Sequence, residues 1–455
     1  MKEDLAREVV NEGASSTKDL KRVLGFWDLM GTAVGQIIGA GIMSLTGAAI
    51  AMTGRSVPIS FILAAVFVLI FSIPQVLIYA TARFRGGQYS VISTLVGEKW
   101  GGFFVIMHIL TNLSIAMYAL SFADYALAFL PMFSRKLIAL GILTLIYVLN
   151  IFGVDKMAKI QNFVVVTLVI ALGVFVAFGI TQIDSNYLSE GFMSDGFVGL
   201  LQAAALLTFA TGGATVAANL AGEAKNPTKD VPMVILVSTI AVAVLYGFVS
   251  LIAAGVLPIS QVANQPLTWV AEEILPNFLY VFFVVGGAMF ALVSTLNAQL
   301  AWATKPILQA CIDGWFPKKL GYIHPKYKTP VILLTGFYLV GLIPILFEIN
   351  IGAIGGYVVI MSQFINILMT ISVLKLPEKM PKLWEKSRFK VSKSLAYFIV
   401  AGSIAVCVLQ IYLLASDWTL IVTAGNIALL LISGIYSFMR HNSGKVDVEV
   451  SYESV

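Results

Sequence analysis

Apolar residues fall into about twelve blocks along the chain, near 26–52, 57–82, 100–130, 136–153, 158–182, 197–221, 233–257, 277–305, 330–347, 351–375, 394–415 and 419–439. Each is of the length a helix needs to cross a bilayer, roughly 18 residues or more, so the pattern predicts an all-α polytopic membrane protein with about twelve spans. Two blocks are interrupted at mid-length. The first reads Val34-Gly35-Gln36-Ile37-Ile38-Gly39-Ala40-Gly41-Ile42-Met43, and the sixth reads Phe209-Ala210-Thr211-Gly212-Gly213-Ala214. Loose glycines weaken a helix, and a broken helix exposes backbone groups that lipid cannot satisfy. Breaks at this depth are therefore tolerable only around a cavity.

The interruptions also divide the chain. Spans one to five (26–182) and six to ten (183–375) each open on a Gly-broken helix, and because five is odd the second set enters from the opposite face. This predicts a five-plus-five inverted repeat, and paired broken helices point to a binding site near the bilayer midplane. Two further spans, 394–439, follow a basic loop at 376–393. A polar segment, 1–25, precedes the first span, and the short tail, 440–455, reads as disordered. The connector at 258–276 contains a short helical stretch and reads as a surface loop.

Composition excludes the soluble classes: 59% of residues are hydrophobic, 12% are charged, and mean hydropathy is +0.91. Residues 1–25 carry Lys2, Arg7, Lys18, Lys21 and Arg22 without the apolar centre of a signal peptide, so the first span is expected to insert as itself. With the N-terminus inside, 26 of the 29 basic residues fall on the cytoplasmic side, and only Arg55, Arg135 and Lys136 on the other. Both termini are thus expected in the cytoplasm, with the protein in the plasma membrane. The net charge of +5 then belongs to loops facing an anionic leaflet, and no nucleic-acid or nucleotide partner is expected. Cys311 and Cys407 read as packing residues, and His108, His324 and His441 are too scattered for a metal cluster.

A charge at midplane depth costs at least ~2.5–3.5 kcal/mol. The spans hold almost no ionisable residue there, since Asp28, Asp124, Glu223 and Lys305 all lie near span ends. The interrupted helices supply an alternative. The start of a half-helix carries about +0.5 of an elementary charge with free N–H groups, which suits a carboxylate, and the end of one suits an ammonium. Two antiparallel interruptions therefore make a receptor for a zwitterion without charged side chains. Close packing of small residues is the competing reading of either glycine cluster taken alone.

Four stretches carry a resemblance: Gly35-Gln36-Ile37-Ile38-Gly39-Ala40-Gly41-Ile42; Arg85-Gly86-Gly87-Gln88-Tyr89 with Trp100-Gly101; Phe209 to Gly213 continuing through Ala221-Gly222-Glu223-Ala224-Lys225-Asn226-Pro227 to Pro232; and Asp313-Gly314-Trp315-Phe316-Pro317 through Thr329-Pro330-Val331. In this order and spacing the chain resembles the amino acid-polyamine-organocation permease superfamily, with the inverted-repeat fold of the leucine transporter. The resemblance implies that backbone at Ala40 and Gly41 holds a substrate carboxylate, with Gly39 and Ile42 beside them as further candidate site residues. It places Ile37 and Thr211 by the amine, Phe209 over the occluded substrate, and Gly212 and Gly213 beside it. Where the family often has Ser, this chain has Ala40, so one side-chain hydrogen bond is absent.

The implied activity is secondary transport of a neutral L-amino acid by alternating access. A cationic amino acid or polyamine antiporter is the alternative within the same family. A channel would require a continuous polar pore, and an enzyme would require clustered reactive side chains inside the spans. Room beside Gly212-Gly213-Ala214, with Ile42 and Met43 as apolar lining, suggests a small-to-medium or branched uncharged side chain. No organic cofactor is expected, and Na⁺ and H⁺ are the candidate coupling ions. Relatives that dispense with sodium often carry a Lys in the fifth span, where this chain has Leu168. Ser294 and Thr295 fall near the hydroxyl pair that binds Na⁺ in sodium-coupled relatives; alternatively, both bond to the carbonyl one turn back.

Overall fold

The computed structural model describes residues 24–84, 86–152, 157–188, 191–219, 224–416, 418–448 and 452–453. The N-terminal segment before Leu24, Arg85 and the Ala221-Gly222-Glu223 stretch lie outside the described residues.

Twelve helical segments correspond to the expected spans among the described residues. The first comprises Phe26–Ile37 and Ala40–Thr53, and the second is Val57–Thr81. The third comprises Glu98–Thr111 and Ser114–Ala126, followed by Arg135–Ile151 and Met157–Gly179. The sixth runs Gly196–Thr211, then a tight turn at Gly212–Thr215, then Val216–Asn219. The seventh is Pro227–Gly255, and the eighth runs from Asn277 to Ile312 through a wide π turn at Phe282–Met289. Val331–Leu346, Ile351–Lys379, Lys393–Ala415 and Leu420–Asn442 complete the set. Ten are long and apolar enough to cross a bilayer on length and composition, and the fourth and ninth, at 17 and 16 residues, fall just short.

The packing has the symmetry the repeat demands. The first span lies against the sixth and the fourth against the ninth. The contact of the second span with the sixth is mirrored by that of the first with the seventh, and third-on-tenth is mirrored by fifth-on-eighth. Exchanging spans one to five with six to ten thus maps these contacts onto one another, as an internal repeat requires. Spans eleven and twelve pack outside this unit, against the tenth and third spans respectively. The twelfth keeps Leu420, Ile421, Leu431 and Ile432 exposed, a face that suits lipid.

Some boundaries differ from the sequence expectation. The seventh helix begins at Pro227, ahead of its apolar block, because Pro is well placed in a first turn where its missing N–H has no intrahelical acceptor. The connector at 258–276 forms two short helices, Ile259–Val262 and Thr268–Ile274, and the Asn264 N–H bonds the Gly47 carbonyl (2.8 Å) on the first span. The tail expected to be disordered is docked: Arg440 Nε donates to the Gly314 carbonyl (2.9 Å), and the Asp447 N–H donates to that of Asp313 (3.0 Å). Tyr452–Glu453 then pairs antiparallel with Arg83–Phe84. Gly314 has φ +88, and a Cβ there would stand 2.1 Å from the Lys445 carbonyl oxygen, so both backbone conformation and tail contact require glycine.

Candidate substrate site between the interrupted helices

The first span breaks where its glycines predict. Ile38 leaves helical geometry (φ −81, ψ 86), the Gly39 N–H turns back to the Ile37 carbonyl (3.0 Å), and the helix restarts at Ala40. The first turn of the restarted half-helix has N–H groups without intrahelical acceptors, at the positive end of its dipole. Tyr246, fully buried on the seventh span, donates its hydroxyl to the Ile37 carbonyl (2.7 Å) and so anchors the other half. The sixth span is also interrupted where expected, its α-helix ending at Thr211, but in another form. Its Gly212-Gly213 pair tightens the helix into a 3₁₀ turn instead of opening it, with Gly212 still in helical backbone space (φ −86, ψ −2). With Ala214 and Thr215 following, the chain can keep turning after the glycines, and the i to i+3 pattern is the smaller departure.

The two helices cross in backbone contact. A Cβ on Gly41 would stand 2.4 Å from Ala210 Cα, and one on Gly213 would stand 2.7 Å from the Gln36 carbonyl. The glycines thus serve both readings at once, close packing and an interrupted main chain.

Beside this crossing lies a cavity of about 210 Å³. Ile37, Gly41, Phe209, Gly212 and Gly213 line it, so five of the candidate residues meet there. Gly39 and Ala40 form the break itself, and the outer half-helix places Ile42, fully buried, away from the cavity with its carbonyl accepting from Thr46 Oγ1 (2.5 Å). Met43 lines a smaller separate cavity. Ile42 and Met43 therefore do not supply the apolar lining expected of them. Thr211 is 1% exposed and its hydroxyl bonds the Leu207 carbonyl (3.2 Å). Phe209 is half-buried, its ring 6.2 Å from that of Tyr118 on the third span.

The cavity extends toward the face that carries Leu24, lined there by Gln88, Phe104, His108 and Pro306. Gly41 meets Ala210 at its edge, and Gly355 packs against Leu45 and Leu206 beyond it. His108 holds the third and eighth spans together: Nε2 lies 3.0 Å from the Ala303 carbonyl, and the ring stacks on Phe104. One turn on, Gln299 Nε2 donates to Asn112 Oδ1 (2.8 Å). Ser362, Gln363 and Asn366 of the tenth span and Thr208 of the sixth make a further polar wall. These residues were not among the expected site, although Ser362, Gln363, Asn366 and Thr370 at three- and four-residue spacing mark one helical face.

No aspartate or glutamate lines the cavity among the described residues. Asp124 sits in the second, smaller cavity with both oxygens on Arg135, at 2.5 Å to Nε and 2.8 Å to Nη2. Asp28 accepts from the Gly25 N–H (2.8 Å) at the start of the first span. Ser294 and Thr295 are buried on the eighth span outside the cavity lining. Thr295 Oγ1 has no hydrogen-bond partner, and a Cβ on Gly39 would fall 2.6 Å from it. Leu168 is 1% exposed in the apolar core.

Residues 24–437 match the family model described as amino acid permease. The chain is 28% identical over 409 residues to the branched-chain amino acid permease BcaP of Bacillus subtilis (strain 168), covering 81% of this chain and 84% of that protein. It is 25% identical over 405 residues to the methylthioribose transporter of the same organism (83% and 85% covered). To the chloroplastic cationic amino acid transporter 9 of Arabidopsis thaliana it is 28% identical over 342 residues (69% and 59% covered). A match spanning nearly all of the twelve helices places this multi-pass membrane protein among transporters and not enzymes: it belongs to the amino acid permease family.

Proposed function

We propose that the protein carries a neutral L-amino acid across the membrane by alternating access, with the carboxylate held by the backbone N–H groups of Ala40, Gly41 and Ile42. One observation carries this reading: the free start of a half-helix opens at Gly41 onto a cavity lined by no carboxylate among the described residues. A carboxylate is favoured at such a helix start, and an extra positive charge on the substrate would have no counter-ion. Carbonyls at the end of Phe26–Ile37 face the amine, and Phe209 covers the substrate from the cavity side. The clamp of Arg135 on Asp124 weighs against a cationic amino acid or polyamine as cargo. The absence of charged rings among the described lining residues weighs against a channel.

The skew of basic residues supports cytoplasmic termini in the plasma membrane. Thr295 Oγ1, orphaned beside the break, is a hard oxygen donor of the kind Na⁺ takes, which supports a sodium site at Ser294 and Thr295. Competition by the neutral amino acids against uptake into proteoliposomes tests the substrate class. Inhibition by arginine or polyamines alone would overturn it. Replacing Na⁺ by choline tests the ion; unchanged concentrative uptake would leave proton coupling or exchange and remove Thr295 from the site.

A further inference from the structure

The polar wall on the tenth span takes no part in holding a carboxylate or an amine, yet two of its residues, Gln363 and Asn366, belong to one hydrogen-bonded chain. Asn366 Nδ2 donates to Gln363 Oε1 (3.1 Å), and Gln363 Nε2 donates to Gln410 Oε1 (2.9 Å). Thr208 Oγ1 lies 3.0 Å from the same Gln410 oxygen, and Gln75 Nε2 lies 3.4 Å from Asn366 Oδ1. All five are buried, with Gln75, Gln363 and Gln410 at most 1% exposed. The Gly212 N–H bonds the Thr208 carbonyl, so the wall begins one helical turn, about 6 Å, from the sixth-span interruption. A substrate held by its backbone groups at the first-span break, which the sixth span crosses at Gly213, can therefore reach the wall with its side chain.

Four amides inside a membrane are expensive to bury unless they are hydrogen-bonded. Their own chain does not exhaust their capacity: Gln75 Oε1 and Gln410 Nε2 have no partner, and Gln363 and Asn366, which line the cavity, each use one of two N–H hydrogens in the bonds above. Gln410 comes from the eleventh span, outside the ten-helix repeat, and does not line the cavity. It acts through Gln363 and Thr208 and is a positioning residue.

We propose that this amide wall selects a neutral amino acid whose side chain both donates and accepts hydrogen bonds, a hydroxyl or carboxamide, over a branched aliphatic one of equal size. The inference rests on the amino acid reading above and sharpens it. A carboxamide or hydroxyl can pair with the remaining N–H groups of Gln363 and Asn366. An aliphatic side chain shields those groups and offers them no partner, which is the strong form of discrimination available to a polar pocket. The wall thus departs both from the branched side chain that the sequence suggested and from the cargo in the name of the B. subtilis permease.

The test is competition between near-isosteric pairs in proteoliposomes of the full-length protein: threonine against valine and asparagine against leucine. The polar member of each pair should compete at least about tenfold better. Gln363→Leu and Asn366→Leu should shrink or invert that ratio. Gln410→Leu should reduce it in the same direction and by less, because Gln410 acts through Gln363 and Thr208. Because the wild-type ratio needs no variant, unfolding of a variant leaves the test intact. Equal or reversed ratios in a wild-type protein that still transports neutral amino acids, or ratios unmoved by the tenth-span variants, would overturn the selectivity and spare the transport reading. Failure of every neutral amino acid to compete would sink both.

Discussion

Two adjacent glycines of the sixth span should respond in opposite ways to the same added methyl. A Cβ on Gly213 would stand 2.7 Å from both the Gln36 carbonyl carbon and oxygen and 2.8 Å from the Ile37 nitrogen, against the 3.4 Å at which ordinary contact begins. The offending atoms are backbone and cannot rotate away, so the first and sixth spans must separate by several tenths of an ångström. Overpacking of this kind costs about 1–3 kcal/mol, which exceeds the ~0.4–1 kcal/mol that Gly→Ala returns by restricting the unfolded chain. A Cβ on Gly212 meets only Val68 Cγ2 at 3.9 Å, and its backbone (φ −86, ψ −2) is open to alanine. Gly213→Ala should therefore lower the melting temperature in detergent by several degrees and impair uptake. Gly212→Ala should melt at or above wild type, while the methyl it adds to the cavity wall shifts substrate affinity alone. Equal melting of the two variants, with full uptake by Gly213→Ala, would refute the backbone crossing from which both expectations come.

Tyr246→Phe removes the buried donor to the Ile37 carbonyl, which keeps only the Gly39 N–H, so a loss of about 1 kcal/mol is expected; a variant as heat-stable as wild type would show that the break needs no such anchor. On the face away from the termini, the Asn186 N–H and the Arg55 guanidinium (2.8 Å) hold the Asp184 carboxyl below its ordinary 3.8. A depressed carboxyl contributes stability that is complete above the ordinary value and lost as pH falls through the lowered one, so melting should hold steady from about pH 7 to 5 and decline below about pH 4. Arg55→Met should flatten that decline, and an unchanged pH profile would remove the ion pair as its cause. Asp124→Asn should leave the uptake competition spectrum unaltered, because its carboxylate is occupied by Arg135 outside the main cavity; selective loss of cation competition would contradict the neutral-substrate reading.

The spans were legible in the sequence because lipid imposes one requirement on every residue of a crossing helix, and the first-span break was legible because glycine and depth coincide at Gly39-Ala40-Gly41. What was hidden depends on rotation about the helix axis, which block counting does not record. Ile42 follows Gly41 directly, yet the restarted helix turns it about 100° away and seals it in the core while Gly41 faces the cavity. The sixth-span interruption was legible in the same way, but its form was not: the helix gives way to a 3₁₀ turn at Gly212, where Gly213 meets the Gln36 backbone. The amide wall is the sharpest case. Gln75, Thr208, Gln363 and Gln410 are isolated polar residues in four different apolar blocks, and only the tenth-span spacing hints at a common face. Their meaning appears when the second, sixth, tenth and eleventh spans converge, since a lone amide is a burden in lipid and a bonded chain of them can read a side chain. That convergence gives the eleventh span, which repeat symmetry leaves without a role, a direct line to the cavity through Gln410.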